Sequence, residues 1–272
     1  MIRLSDQEFH ILCEFMRKRY GINLIKKRVL IEYRLMNVLA AYQVNSFSEY
    51  IHLIKQDTSG KMMEELINKI TTNYTFFLRE PAHFTYIMDS ILPQANLHTP
   101  FHIWVAGCSS GQECYTLAML LEDQRRNGKP LPHIRITASD ISQKVLNQAK
   151  EACYPMEAME KLPEHWQQQY CKISSDGRMF QLKEIIRKQV VFTYHNLMEP
   201  APCNQYHLIL CRNVLIYFDE VSRHKICQSF AKCLKKRGYL ILGHAEMMPQ
   251  NNPDFEYLKS SIYRLKEMKQ NE

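Results

Sequence analysis

Apolar positions in the first 70 residues recur every three to four places. Phe9, Leu12, Met16 and Tyr20 share one helical face behind the capping box Ser5-Asp6-Gln7-Glu8, in which serine hydroxyl and glutamate carboxylate satisfy each other's free amides. Gly21 supplies a stop. The pattern predicts a second helix from about Lys27 to Tyr42, with Leu30, Tyr33 and Val38 among its apolar positions. A second capping box, Ser46-Phe47-Ser48-Glu49, opens a third helix through Tyr50, Leu53 and Ile54. A fourth carries Met62, Met63, Leu66, Ile67 and Ile70. Short amphipathic helices with brief connections predict a small bundle.

From about residue 100 the pattern changes to short apolar runs: 103–106, 134–139, 190–194, 207–211 and 239–243. Helical stretches such as 113–121 and 143–152 lie between most of them, the signature of a mostly parallel sheet with covering helices. Residues 155–190 break the rhythm with a helical piece at 165–170, then Cys171-Lys172-Ile173, the turn Ser174-Ser175-Asp176-Gly177, and a run from Met179 to Ile185. An Asp-Gly turn between two strand-like runs predicts a hairpin inserted into the α/β part.

Composition adds little beyond class. With 272 residues, 46% of them apolar, and only 8 glycines, the chain is globular and has no low-complexity linker. No apolar run reaches the ~18–20 residues needed to cross a membrane. Nine cysteines without CxxC spacing, behind a start (Met1-Ile2-Arg3) that does not resemble a secretory signal, lead us to expect reduced thiols and a cytoplasmic protein. The net charge of +7 permits an acidic partner without identifying one.

The most informative stretch runs from Ile103 to Glu113, where an apolar strand enters the small-residue loop Gly107-Cys108-Ser109-Ser110-Gly111 and then a helix. Small residues admit a ligand close to the backbone, and a helix start offers free amides. The spacing matches neither GxGxxG nor a phosphate-binding P-loop, which weighs against a diphosphate. Instead, Glu113 opens the helix and Asp140 ends the next strand. A carboxylate at that strand tip can accept both ribose hydroxyls, and a second suits a cationic ligand, so the pair fits S-adenosylmethionine better than a nucleotide phosphate. The alternative is that Glu113 complements the helix dipole and Asp140 caps the next helix. Two further polar segments are 71–81, between the helical and α/β parts, and 211–218, beyond the apolar run 208–210.

Together these segments resemble the chemotaxis receptor methyltransferases (CheR). The resemblance runs in order through TTNYTFFLREPAHF (71–84), IWVAGCSSGQECYTLAM (103–119), ITASDIS (136–142), Asn196-Leu197, LILCRNVLIYFDE (208–220) and GYLILGHAE (238–246). It implies a Rossmann-like class I methyltransferase α/β domain with a small inserted antiparallel β-subdomain, preceded by an all-α N-terminal helical domain. The expected boundaries are 1–72 for the helical domain, 73–99 for a junction carrying site residues, and 100–272 for the cofactor domain, with the insertion at about 160–190. Carried over by position, the cofactor contacts would be Asn73, Thr75, Arg79, Glu113, Asp140, Asn196, Leu197, Arg212 and Asn213. Arg79 and Tyr217 would face the transferring methyl and position the substrate, with His244 and Glu246 in support. Leu78, Cys114 and Ala245 depart from the family's commonest pattern without removing any of these polar groups, and Cys114 reads as a packed thiol rather than a nucleophile.

The implied reaction is transfer of a methyl group from S-adenosylmethionine to receptor glutamates, leaving S-adenosylhomocysteine. A glutamate with a reference pKa near 4.3 is already ionised at neutral pH, so neither a general base nor a metal is expected. The implied partner is the acidic methylation helix of a chemoreceptor. Residues 1–36 hold eight basic and four acidic groups, a face suited to such a helix, although a solvated surface would look the same. The turn at 174–177 looks short beside the pentapeptide-binding forms of the β-subdomain, so independence of a receptor tether is expected, as are a monomer, no membrane insertion and no nucleic acid. The rival readings are a methyltransferase of RNA or a small molecule and a non-catalytic, cofactor-sensing docking protein. Against the first, no Asp/Asn-Pro-Pro-Tyr motif is present; against the second, Arg79 and Tyr217 are both retained.

Overall fold

A computed structural model describes residues 2–201, 205–249 and 252–267. The chain divides into two compact units, Met1–Asn73 with Tyr217–Arg223, and Tyr74–Ile216 with His224–Glu272.

The first unit is built on helices α1 (Asp6–Tyr20), α2 (Arg28–Ala41), α3 (Phe47–Gln56) and α4 (Lys61–Ile70). The Ser5 capping box forms, and Gly21 closes α1 in the left-handed conformation. Glu8 does more than cap: one carboxylate oxygen accepts the Ser5 amide at 2.9 Å while the other accepts the Ser48 amide of α3 at 2.8 Å. On α2 the expected apolar face is corrected. Ile31, Leu35, Val38 and Leu39 are buried, whereas Tyr33 is 78% exposed and Leu30 also faces out. Core packing selected the stripe that begins at Ile31; Leu30 flanks it and Tyr33 falls on the opposite side of the helix. The second capping box is half as expected. The Ser46 hydroxyl accepts the Glu49 amide, but the Glu49 carboxylate accepts from Asn45 instead of Ser46. Arg34 donates to the carbonyls of Lys69 and Thr71, both at 3.1 Å, fixing the chain as it leaves α4.

The second unit opens with α5 (Pro81–Tyr86), a π-helical turn at Ile87–Ile91 and a short 3-10 turn. This stretch is no bare linker. Phe77, Phe84, Ile87, Ile91 and Leu92 are buried in the core of the α/β unit. Strand β1 (Phe101–Ala106) leads to α6 (Gln112–Arg126), β2 (Ile134–Asp140) and α7 (Gln143–Glu151). Then come β3 (Cys153–Pro155), α8 (Met156–Met159), α9 (Glu164–Tyr170), β4 (Cys171–Ile173), β5 (Met179–Leu182) and α10 (Glu184–Arg187). The unit continues with β6 (Val190–Tyr194), β7 (Tyr206–Cys211), α11 (Glu220–Cys233, which begins in the first unit's segment), β8 (Leu234–Leu242), β9 (Phe255–Lys259) and β10 (Ile262–Leu265).

The main sheet has the order β6-β2-β1-β7-β8-β10-β9. Its first five strands are parallel, and β10 and β9 are added antiparallel. From β1 the chain moves outward through β2 to β6, then returns to place β7 on the other side of β1, which makes the β1/β7 seam the topological switch point. Trp104 is buried there and donates to the Ser139 hydroxyl at 2.9 Å. The expected hairpin is β4–β5 of a separate antiparallel sheet ordered β3-β5-β4. Its second strand ends at Leu182 rather than Ile185, because the chain turns into α10. Its third member, β3, precedes residue 160, where the insertion was expected to begin.

Candidate active site

The carboxyl ends of β1, β2, β7 and β8 are adjacent, and polar residues singled out in the sequence follow or end each of them: Glu113, Asp140, Arg212 with Asn213, and His244 with Glu246. After β1 the chain turns at Gly107 in the left-handed region, where a side chain would meet Val214 at 2.4 Å, so glycine alone fits. The Ser109 amide then donates to Asp140 Oδ2 at 2.8 Å, and the Ser142 amide donates to Asp140 Oδ1 at 3.0 Å. The Asp140 carboxylate thus clamps the β1 loop to the start of α7. Burial pushes its pKa up, opposed by the amides of Ser142, Ser109 and Ile141.

A second cluster is centred on Arg212, whose side chain is fully buried at the end of β7. Its guanidinium lies between two carboxylates. Nη2 and Nε reach Glu80 Oε2 at 3.2 and 3.4 Å, and Nη1 stands 3.2 Å from Glu113 Oε2 in the first turn of α6. Nη2 also donates to the Arg79 carbonyl, and the guanidinium stacks on Phe84 at 5.2 Å. Glu80 further accepts from Asn213 Nδ2 and from the His244 amide, each at 3.3 Å. The two carboxylates diverge. At Glu80 the effect of burial is outweighed by Arg212, Asn213 and His244, and the pKa falls; at Glu113 burial prevails over Arg212, and the pKa rises.

Polar capacity in this cluster is incompletely used. Among the described residues, Glu113 Oε1 and Asn213 Oδ1 are buried without a hydrogen-bond partner, and Arg212 Nη1, although ion-paired with Glu113 Oε2, makes no hydrogen bond. Such groups cost roughly 1–3 kcal/mol each if nothing satisfies them. Backbone strain gathers at the same place, since Leu78, Glu80, Ser109 and Asn213 all have positive φ without being glycine.

Arg79 is half-buried; its Nη1 donates to the Tyr74 carbonyl at 2.9 Å, and its guanidinium lies 5.7 Å from the Phe76 ring centre. Thr75 and Leu197 are half-buried, and Asn196 is buried beyond β6, where its side chain accepts the Met198 amide at 3.1 Å. Asn73 and Tyr217 belong to the first unit. There the Tyr217 hydroxyl donates to the Thr72 carbonyl at 3.3 Å and Lys27 Nζ lies 4.2 Å from the ring centre. The structure therefore brings Glu113 and the backbone carbonyl of Arg79 to the Arg212 guanidinium, links Asn213 to it through Glu80, holds the Arg79 side chain against Tyr74 and Phe76, puts Asp140 at the end of β2 beyond β1, and leaves Asn196 and Leu197 beyond β6.

Glu80, His83 and Thr116 escaped assignment to this network from sequence, whereas Glu246 was expected, through the resemblance, only in support. Glu80 pairs across 132 residues, and only its position inside a run of polar groups hinted at a role. Thr116 receives the Leu78 amide at 3.1 Å. His83 is fully buried, donates through Nε2 to the Ser260 carbonyl at 2.8 Å, and has its pKa pushed down to about 4, mainly by burial. Glu80, His83 and His244 bring ligand-type atoms within 4.8 Å of one another, but the Arg212 guanidinium already compensates the one carboxylate, which opposes a divalent cation. Cys114 is buried at the base of the loop.

Comparison with known proteins adds an independent observation. Residues 73–264 match the family model described as CheR methyltransferase, SAM binding domain, and residues 7–71 match CheR methyltransferase, all-alpha domain. A chemotaxis protein methyltransferase of Borreliella burgdorferi is 38% identical over 272 residues, covering 97% of this chain and 95% of its own. One from Vibrio anguillarum is 33% identical over 273 residues, covering 97% and 99%. Among solved structures, a glycopeptide N-methyltransferase complexed with sinefungin aligns with 62% of this chain and 50% of its own at 11% identity and a TM-score of 0.39.

Proposed function

The chain belongs to the CheR methyltransferase family, and from that premise we propose that it methylates glutamate side chains of chemoreceptors with S-adenosylmethionine, forming glutamate methyl esters. The observation that carries the cofactor site is the set of unfilled polar atoms around Arg212. Two acceptor oxygens, Glu113 Oε1 and Asn213 Oδ1, beside a guanidinium N–H suit the zwitterion of an amino acid, with the oxygens taking an ammonium and Arg212 a carboxylate. Asp140 stands at the end of the strand beside β1, where a carboxylate can accept ribose hydroxyls, and the amides of Ser109 and Ser142 hold its two oxygens in place there. Asn73, Thr75, Asn196 and Leu197 complete the proposed contacts. When bound, the cofactor supplies a methyl group on a sulfonium, an electrophile that an ionised carboxylate can attack without a general base.

The protein's own contribution is alignment and exclusion of water. Arg79 offers a planar fork to orient the substrate carboxylate, and the Tyr217 hydroxyl would hold its second oxygen by redirecting the proton it donates to the Thr72 carbonyl. Full neutralisation of that carboxylate would blunt it, so positioning is the role assigned to both. The partner is an acidic receptor helix, received on the basic first two helices. The face is narrower than the sequence suggested. Lys26 is exposed, whereas Lys27 is half-buried beside Tyr217 and Arg28 is engaged by Asp6 and the Leu4 carbonyl. We expect a monomer that works without a receptor tether and without a metal.

Transfer of labelled methyl from S-adenosylmethionine to membranes containing chemoreceptors tests the reading. Label released by mild base as methanol is expected. Base-stable label, label in RNA, or binding without transfer would each overturn the glutamate assignment.

A further inference from the structure

Glu246 lies on the short turn after β8, distant in sequence from every group proposed to touch the cofactor. Its carboxylate is buried and surrounded by backbone amides. Oε2 accepts from Asn213 and from Gly243, both at 2.7 Å, and Oε1 accepts from Ile216 at 3.2 Å. These amides belong to the loops that leave two neighbouring parallel strands, β7 and β8. The turn is pressed so closely on Asn213 that a Cβ at Gly243 would meet Asn213 Nδ2 at 2.7 Å and Asn213 N at 2.8 Å.

The amide that Glu246 captures belongs to a residue in a tight left-handed turn. Asn213 has φ of 59°, a conformation that asparagine adopts more readily than other residues with a side chain, and its amide is fixed there by the Glu246 carboxylate. A buried carboxylate accepting several N–H bonds supplies that constraint, since bonds to a charged acceptor are worth roughly twice neutral ones. The same turn aims Asn213 Nδ2 at Glu80, leaves Asn213 Oδ1 without a partner among the described residues, and follows directly on Arg212.

We propose that Glu246 is a positioning residue for the cofactor site: its carboxylate holds the β7 loop in the turn that presents Asn213 Oδ1 and Arg212 Nη1 to the amino-acid end of the ligand. The proposal rests on the cofactor reading above. Glu246 acts through Asn213 and touches no ligand atom itself. Glutamine is the informative replacement, because it keeps shape and volume but turns one acceptor oxygen into an NH2 group facing backbone donors.

The test is a double-mutant cycle on S-adenosylhomocysteine binding, measured by calorimetry on the whole protein, with E246Q, N213A and the double variant. Each single change is expected to weaken binding at least about tenfold, and the double variant to be no more than about threefold weaker than the worse single one. A merely structural Glu246 would instead give losses that multiply, in step with a fall in Tm. Multiplying losses, or a folded E246Q that binds like wild type, would overturn the positioning role alone. An N213A protein with undiminished affinity would overturn the cofactor reading and the positioning role with it. If E246Q does not fold, E246D takes its place in the cycle: it keeps the charge, falls one methylene short of the amides, and carries the same expectation.

Discussion

Arg79 and Asp140 test the site from two directions. The Arg79 guanidinium is held by the Tyr74 carbonyl and the Phe76 ring, so it stands in a defined place without a carboxylate partner among the contacts above. Arg79→Ala should lower turnover on the order of 100-fold, as loss of substrate orientation does, and steady-state methylation assays would read it. Asp140→Ala should weaken S-adenosylhomocysteine binding roughly 10- to 100-fold, the worth of one or two charge-assisted hydrogen bonds. Calorimetry checks this, and wild-type affinity would sink the ribose assignment. Glu113, Asp140, Arg212 and Asn213 were legible because a polar residue just beyond an apolar run stands at a strand's carboxyl end. Glu80 was not, because its partner lies 132 residues away and only folding introduces it; Glu246 was marked as support through the resemblance alone, since amides about 30 residues away give it its role.

At the scale of elements, Asp123 on α6 joins the small sheet's helix to the cofactor domain. It accepts from Tyr170 at 2.6 Å, from His165 at 2.9 Å and from the Trp166 indole, all on α9. Those donors outweigh burial and hold its pKa down. Asp123→Ala strands a buried indole N–H and a buried phenol, so urea unfolding should show a loss of about 2–4 kcal/mol. Unchanged stability would mean that α9 is held by packing alone. The long elements were readable from period, but the short ones depended on pairing. A three-residue strand such as β3, ending in proline, carries no periodic signal and exists because β5 lies beside it. The antiparallel β9 and β10 likewise follow no helix and fall outside the strand-helix rhythm that located the first five strands.

For the molecule as a whole, charge and acid response follow from the same groups. His83 is buried and neutral, with its folded pKa near 4 against an ordinary value of 6.5. The unfolded chain therefore binds the extra proton first, and stability falls as pH drops from 6.5 towards 4, by up to about 3 kcal/mol from this residue. His207, pushed down to about 4 largely by burial, works in the same direction. Urea unfolding between pH 4 and 7 should show a shallower pH slope in His83→Gln than in wild type, and equal slopes would refute the assignment. Glu80, with its pKa lowered, adds stability above the ordinary carboxyl range that is lost as pH falls below it. Reversing charge at Lys26, Lys27 and Arg28 should slow receptor methylation severalfold and flatten its salt dependence, which a rate series in added salt would detect. Finally, the β1/β7 seam has a consequence during synthesis. Ile103 pairs with Leu208 and Val105 with Leu210, so β1 leaves the ribosome roughly 100 residues before the strand that covers it. At roughly 5–20 residues per second, a nascent apolar edge waits on the order of 5–20 s for its partner, and this is the interval in which a chaperone would matter most to the yield of folded protein.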